Sequence, residues 1–299
     1  MGRQLKDKIR ASFSKTAINY DTLALFQKQV AAELIDFGFK TLYSTSVPKG
    51  HLPHLRILDI GCGTGFLSYG LADKFPDADI FGCDIAHGML KVASCKLQVA
   101  SDKKIHLITT DGEILPCKND TFDIAASNLT YQWIDNLERS FKEAYRVLRP
   151  GGAFIFSTLG PETLKELRQC YLDASTIAHK DGLPPFMDFS EKQAIQSVLE
   201  SVGFKNISIE IVKMIKTYPD MWTLLKTMKS IGAGNPFKDG DKSLGRGSLL
   251  KKMAEVYEER FQIQDSRFKS CSLHLAACNC IYATYEVMFV KGVKLQGGD

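Results

Sequence analysis

The sequence predicts an α/β fold: a doubly wound core around a mostly parallel sheet, with helical additions at the N-terminus and between the last strands. Two observations carry this expectation. From Arg56 to Ser157, short apolar runs alternate with helix-like segments. Strands alternating with helices at that pace make right-handed βαβ units, whose parallel sheet is covered on both faces. The chain also has 299 residues, 44% hydrophobic and 24% charged. That is enough for one large core, or one core plus an insert, and it excludes a wholly disordered or collagen-like chain.

Each element has its own reason. Leu23, Phe26, Val30, Leu34 and Phe37 recur at spacings of three and four, the apolar stripe of an amphipathic helix over about Asp21 to Phe39. Pro48, Gly50 and Pro53 mark a linker or loop. Arg56 to Ile60 reads as a short apolar strand, followed by a glycine turn and a helix from Phe66 to Phe75. Asp79 to Cys83 is the second strand, with a helix from Met89 to Gln98. Ile105 to Thr109 and Phe122 to Ser127 are the third and fourth strands, the latter followed by a helix over about Leu137 to Leu148. Pro150-Gly151-Gly152 reads as a turn into a fifth strand, Ala153 to Ser157. Ser190 to Val202 is a helix stopped by Gly203, a C-cap signal. Ile207, Ile209 and Ile211 alternate in a strand over Asn206 to Ile215. Pro219 to Ser230 and Ser248 to Phe261 read as helices, and Ile281 to Val293 as the terminal strand.

The balance of 38 basic against 34 acidic residues, a net charge of +4, is too mild to mark a nucleic-acid binder and suits an acidic protein partner. The charged start, MGRQLKDKIRASFSK, lacks the apolar stretch of a signal peptide. Lys6 stands where an acylation motif needs Ser or Thr, and no apolar run approaches the ~20 residues that span a bilayer. The eight cysteines sit in apolar or motif segments, as Cys62, Cys83 and Cys95 do. Cys278-Asn279-Cys280 has one residue between its thiols, not the two usual at zinc sites. The expectation is a soluble, cytoplasmic protein with free, mostly buried thiols and no metal.

Asp59-Ile60-Gly61-Cys62-Gly63-Thr64-Gly65 is the most informative stretch. A strand enters it and a helix leaves. Alternate glycines let the backbone approach a ligand, and the helix N-terminus presents amides to it. A dinucleotide fingerprint would need its third glycine at the position of Phe66, and no Gly-Lys-Ser/Thr is present for a P-loop. An acid precedes the turn instead. Asp59 would repel a pyrophosphate but suits the cationic aminopropyl end of S-adenosylmethionine. Asp84 closes the second strand, where a carboxylate can accept both ribose hydroxyls. Asp111 follows the third strand, within reach of an adenine amino group. Any one of these acids reads equally well as an ordinary turn residue. Three at successive strand ends, on the edge where such sheets bind ligands, point to S-adenosylmethionine as the cofactor.

These residues resemble the class I S-adenosylmethionine-dependent methyltransferases over about residues 55–158. The resemblance implies a seven-stranded Rossmann-like sheet whose last strand is antiparallel, which fits Ile281 to Val293. It carries over Asp59, Gly61, Gly63 and Gly65 at the methionine end, Asp84 on the ribose, and Asp111 with Gly112 near the adenine. Asn128, at the end of the fourth strand, is placed with them on the cofactor side. Tyr145 to Gly152 matches as well, as a helix exit and turn with a structural role.

Further segments resemble one subfamily, the malonyl-[acyl-carrier protein] O-methyltransferases of biotin synthesis. Ile9 to Asp21, with Gln27, resembles its lid, and Ser127 to Trp133 its Ser-Asn-Leu-x-x-Gln-Trp motif. Phe156 to Gly160 with Leu164, Glu166 and Leu167 also matches, and Ile231-Gly232-Ala233, Asn235 and Gly245-Arg246-Gly247 resemble its late insert. The Asn/Asp-Pro-Pro-aromatic tetrad of amino-methylating nucleic-acid enzymes is absent, which disfavours a nucleic-acid substrate. Lys15 stands where the family commonly has Arg. A point charge is not a bidentate fork, and Lys15 is given no role.

The resemblance implies a single domain, 1–299, with a helical lid (1–45), a cofactor-binding core (55–158) and acceptor-side helices, insert and last strands (159–299). The reaction it implies is methylation of the free carboxylate of malonyl-acyl-carrier protein. That nucleophile is ionised at neutral pH, so no general base is needed, and catalysis reduces to positioning and exclusion of water. Tyr20 on the lid, with Gln132 and Trp133 on the acceptor side, are the candidate catalytic residues. Arg246, Lys251 and Lys252 are the candidate basic rim for an acidic carrier. The plainer readings are helix packing for Tyr20, core for Trp133 and solvated helix charges for the three cations. A methyltransferase acting on another small acid, such as trans-aconitate, would share everything through Thr158 without needing a basic rim. A non-catalytic relative would have lost a glycine or an acid, and none is lost.

Overall fold

The computed structural model describes residues 2–42, 54–99, 104–177, 188–231, 246–263 and 280–296. Two helices open the chain, α1 (Gly2–Leu23) and α2 (Leu25–Leu42). The alternation follows: β1 (Arg56–Ile60), α3 (Phe66–Lys74), β2 (Asp79–Asp84), α4 (His87–Val99), β3 (Ile105–Thr109), β4 (Phe122–Asn128), α5 (Leu137–Val147) and β5 (Leu148–Leu159). Then come α6 (Lys165–Ile177), α7 (Lys192–Val202), β6 (Lys205–Tyr218), α8 (Met221–Ser230), α9 (Arg246–Phe261) and β7 (Ile281–Val293).

The seven strands form one sheet in the order β3-β2-β1-β4-β5-β7-β6. β1 runs parallel to β2 and β4, β2 to β3, and β4 to β5. β7 is antiparallel to β5, from Ala153 opposite Val293 to Leu159 opposite Val287. This is the expected doubly wound sheet, and its winding reverses between β1 and β4. Ligands of such sheets bind beyond the carboxyl ends of the strands at that reversal.

Strand alternation divides β1 between two layers. Leu58 and Ile60 join a buried cluster with Phe141 and Ala144 of α5, Ile195 and Leu199 of α7, and Phe154 and Phe156 of β5. Asp59 points the other way and bonds to Ser68 of α3. On that side α2 packs on β5, so close that a side chain at Gly38 would strike Ile155.

The chain divides into two compact units. The first comprises Met1–Leu159, Ser190–Val212 and Val287–Asp299, and the second Gly160–Phe189 and Lys213–Glu286. In the second, Glu166 of α6 is 1% exposed; it accepts Thr284 N at 3.0 Å and also the Thr284 hydroxyl. Tyr257 of α9 donates to Tyr282 O at 3.0 Å. The Leu164, Glu166 and Leu167 motif is therefore internal scaffolding of that unit.

Three sequence expectations are revised. The single helix over 21–39 is two helices, and Leu23, at the end of α1, is 39% exposed. The periodicity hides the break because Ala24 N still donates to Tyr20 O and Lys28 N to Ala24 O. Pro150-Gly151-Gly152 lies inside β5. Leu148 faces Phe122 and Ala153 faces Ile124, so the extra residues form a bulge, and Gly151 N donates to Lys294 O at 2.7 Å. The helix after the fifth strand, α6, has no counterpart among the elements read from the sequence. Gly203 does stop α7, at φ 114°, with its N–H donating to Leu199 O and Glu200 O.

Candidate functional site

The candidate residues of the first unit gather at and just past the carboxyl ends of β1 to β4, where α1 lies. The glycine loop is pinned to β2 by Gly61 N and Cys62 N, which donate to Cys83 O at 2.7 and 2.9 Å. Two of its glycines are required for different reasons. Gly61 has φ 73° and faces the Thr130 side chain, with Thr130 Cβ 2.8 Å from where a Cβ would stand. Gly63 has φ 56°, and a Cβ there would meet nothing within 4 Å. The space beside Gly63 is a cradle. α3 begins at Gly65 with no side-chain cap, which leaves its first N–H groups for an anionic group.

Asp59 is fully buried. Its Oδ2 accepts the Ser68 hydroxyl at 2.6 Å, while Oδ1 is buried with no hydrogen-bond partner. Burial pushes its carboxyl up to about 7; the Ser68 hydrogen bond pulls back and the charge of Asp84 adds to the push. Asp84 accepts Gly63 N at 2.9 Å on Oδ2 and Ala86 N at 2.7 Å on Oδ1, leaving each oxygen further acceptor capacity. Burial raises its pKa as well, against those two bonds. Asp111 lies two residues past β3. Its Oδ2 is 2.7 Å from Lys6 Nζ, and its Oδ1 accepts Glu113 N at 3.0 Å. Gly112 is a packing position, where a Cβ would lie 3.0 Å from Ile60 Cγ2. Asn128 is fully engaged: Nδ2 donates to Gln27 O of α2 at 3.0 Å, and Oδ1 accepts the Ser157 hydroxyl at 2.8 Å. Asn128 thus joins the end of β4 to α2.

Tyr20 packs with Phe13 and Val92 around Ala17, Ala86 and Met89. Burial, with Asp84 and Asp21 adding, drives its phenol far above the usual range, so it stays a neutral donor. Trp133 meets Phe13 of α1 edge-to-face at 5.5 Å. Gln132 Oε1 is buried without a hydrogen-bond partner. A cavity of about 570 Å³ is lined by Lys6, Arg10, Ile85, Thr109, Asp111 and Arg139 among others.

Sequence reasoning missed the residues that seat α1. Asp21 Oδ1 accepts the Thr64 hydroxyl at 2.6 Å, and Oδ2 pairs with Lys96. Lys6 binds Glu113 as well as Asp111. No local signal marked them: the expected helix began at Asp21, where an acid suits the dipole, and only the structure places Asp21 in the last turn of α1. In the second unit Lys251 is exposed, and Lys252 is 2.8 Å from Glu255. Gly232, Ala233, Asn235, Gly245, Cys278 and the side chain of Arg246 lie outside the described residues. Among the described residues there is no group of three or more metal-ligating side chains.

The group this site suits is S-adenosylmethionine: an unpartnered buried carboxylate oxygen for an ammonium, an open glycine cradle and an uncapped helix N-terminus. Residues 58–156 match the methyltransferase domain family. A malonyl-[acyl-carrier protein] O-methyltransferase of Geobacter sulfurreducens is 32% identical over 285 residues, covering 95% of this chain and 97% of that one. A biotin biosynthesis bifunctional protein BioHC of Saccharophagus degradans is 34% identical over 85% of this chain and 43% of its own length. Among solved structures, the YcgJ protein of Bacillus subtilis matches with a TM-score of 0.58 at 17% identity, covering 89% of this chain and 100% of that one, a likeness of fold. With fold, glycine loop and near full-length similarity in agreement, the chain belongs to the malonyl-[acyl-carrier protein] O-methyltransferase family.

Proposed function

We propose that this protein methylates the free carboxylate of a malonyl group held on an acyl-carrier protein, an early step of biotin synthesis, using S-adenosylmethionine. The observation that carries the acceptor is the similarity to the Geobacter enzyme over 95% of the chain. The cofactor rests on the geometry of Asp59, Gly63 and Asp84.

When bound, S-adenosylmethionine supplies an electrophilic methyl group and leaves as S-adenosylhomocysteine. The chain's own residues bind, orient and exclude water. Asp59 and the α3 N-terminus hold the amino-acid end, Asp84 the ribose and Asp111 with Gly112 the adenine side. The acceptor carboxylate is ionised at neutral pH, so no residue has to take a proton from it. An ionised nucleophile is held back by its water shell, and a dry, oriented site removes that barrier. α1 provides the cover: Phe13 on Trp133 and Tyr20 beside Asp84 close the site from above the strand ends. Gln132 orients the acceptor carboxylate through its side-chain N–H donors, because its amide oxygen can only accept. In functional terms residues 1–45 act as lid, 55–158 as cofactor core and 159–299 as acceptor side, and Arg246, Lys251 and Lys252 receive the carrier. Among the described residues no helix is long and apolar enough to cross a membrane. A cytoplasmic site of action and the absence of a nucleic-acid substrate are part of the proposal.

The test is intact-protein mass spectrometry of malonyl-carrier protein incubated with the protein and S-adenosylmethionine, beside acetyl-carrier protein and free trans-aconitate. The expected result is a mass gain of one methylene on the malonyl carrier alone, removed by ester hydrolysis. A gain on the free acid with none on the carrier would overturn the assignment.

A further inference from the structure

We propose that Asp21 is a positioning residue that couples closure of α1 to the shape of the glycine loop, and so sets how long the cofactor stays bound. This rests on the reading of that loop as the S-adenosylmethionine site. Asp21 lies in the last turn of α1, a turn without a basic residue. A carboxylate there opposes the helix dipole, so helix energetics do not account for it. Its side chain is engaged across the fold instead. Oδ1 accepts the Thr64 hydroxyl at 2.6 Å, and Oδ2 pairs with Lys96 of α4. Lys96 in turn donates to the Thr64 carbonyl at 2.9 Å.

Thr64 is therefore held twice, by its hydroxyl from α1 and by its carbonyl from α4, and it is 1% exposed. Its chain neighbours are Gly63 and Gly65, both in the left-handed region at φ 56° and 89°. A Gly-Thr-Gly segment freed of such ties spreads over many backbone states. Tied, it is fixed in the shape that lets Gly63 N donate to Asp84, the acid placed on the ribose. Withdrawing α1 breaks the contact between Asp21 and Thr64, so the loop loses a constraint as the site loses its cover. Tyr20, the adjacent residue, leaves Asp84 in the same movement. Lid closure and cofactor grip become one event.

The experiment is stopped-flow release of S-adenosylhomocysteine from the full chain carrying Asp21→Ala, Asp21→Asn, Thr64→Val or the Asp21→Ala/Thr64→Val pair. Thr22→Ala is the control, since the Thr22 hydroxyl bonds within α1 to Asn19 O. Asp21→Ala and Thr64→Val should each speed release about tenfold, and the double variant no more than the larger single, because both remove the same contact between Asp21 and Thr64. Asp21→Asn keeps an acceptor for Thr64 and should recover part of the loss. Thr22→Ala should leave release unchanged. Unchanged release in folded variants that still bind, or fully additive effects in the double, would overturn the coupling. Failure of the unaltered protein to bind S-adenosylhomocysteine would overturn the cofactor reading itself and the coupling with it. If Asp21→Ala does not fold, Thr64→Val and Lys96→Met carry the same comparison.

Discussion

Lys6, in the second turn of α1, places its ammonium 2.7 Å from both Asp111 and Glu113, joining the start of the chain to residues just past β3. Burial pulls the Lys6 pKa down, but hydrogen bonds and charge from the two acids outweigh it and hold it above the ordinary 10.5. The contribution is thus complete at neutral pH and is lost only as pH rises through that raised value. Glu113 is 5% exposed, so Lys6→Met leaves a buried carboxylate without its cation. The expected loss is about 1–2 kcal/mol, reduced from a fully buried pair because Lys6 and Asp111 are partly solvated. Urea denaturation checks it, and a Lys6→Met/Asp111→Asn cycle should show positive coupling.

Asp59 makes stability depend on pH in the opposite sense to most carboxylates. Its pKa rises from 3.8 to about 7 on folding. Across that window the folded state holds a proton that the unfolded state has released, so stability falls as pH rises from 4 toward 7 and is flat above. The full effect is on the order of 4 kcal/mol. Asp59→Asn should remove most of the slope in denaturation measured from pH 4.5 to 8, leaving the part due to Asp84, whose pKa burial also raises. S-adenosylmethionine places an ammonium near the ionised form, so binding below pH 7 should release a proton. Calorimetry in buffers of different ionisation enthalpy reads that directly. Binding without proton release at pH 6 would remove Asp59 from the methionine end.

The two glycines separate stability from binding. Gly61→Ala drives a Cβ into Thr130 at a positive φ and should cost at least 2 to 3 kcal/mol of stability, roughly the sum of left-handed strain and overpacking. Gly63→Ala meets no protein atom, so only the left-handed strain remains, about 1 kcal/mol. Its added methyl fills the cradle, however, and should weaken S-adenosylmethionine binding by about tenfold or more. Thermal melts with and without cofactor distinguish the two. Gly63→Ala with unaltered affinity would place the cofactor elsewhere.

The sheet was legible because each strand signal is local. Arg56 to Ile60 and Ile105 to Thr109 are bounded by residues that end strands, and both match the observed limits. The acids were legible as a set, since a strand end fixes where Asp84 and Asp111 stand in any doubly wound sheet. What periodicity could not show was engagement. Asn128 is tied to Gln27 O across 101 residues, and Asp111 to Lys6 across 105. No local pattern encodes such a partner. The seating of α1 through Asp21, Thr64 and Lys96 was hidden for the same reason. The stripe of α2 continued smoothly into α1 through Leu23, Tyr20, Ala17 and Phe13, so periodicity marked neither the break nor the partners of α1.

The proposed carrier-binding surface yields the final prediction. α9 carries Arg246, Lys251 and Lys252 in its first half and Glu255, Glu258 and Glu259 in its second. Lys252 already pairs with Glu255 at 2.8 Å, both well exposed, so its charge is partly neutralised, whereas Lys251 is exposed on the same turn. Contacts between exposed charges act mainly on association rate and salt dependence. Lys251→Glu should therefore lower kcat/KM for malonyl-carrier protein more than Lys252→Glu. Reversing Arg246, Lys251 and Lys252 together should lower it most, and more steeply at low salt. S-adenosylmethionine affinity should not change, because the glycine loop and its acids are untouched. Malonyl-CoA, which lacks the carrier's acidic face, should lose much less activity. Equal losses on both substrates would assign these residues to the active site or to folding. No loss on either would move the docking surface to the lysines of α1, with Lys8 and Lys15 the next to reverse.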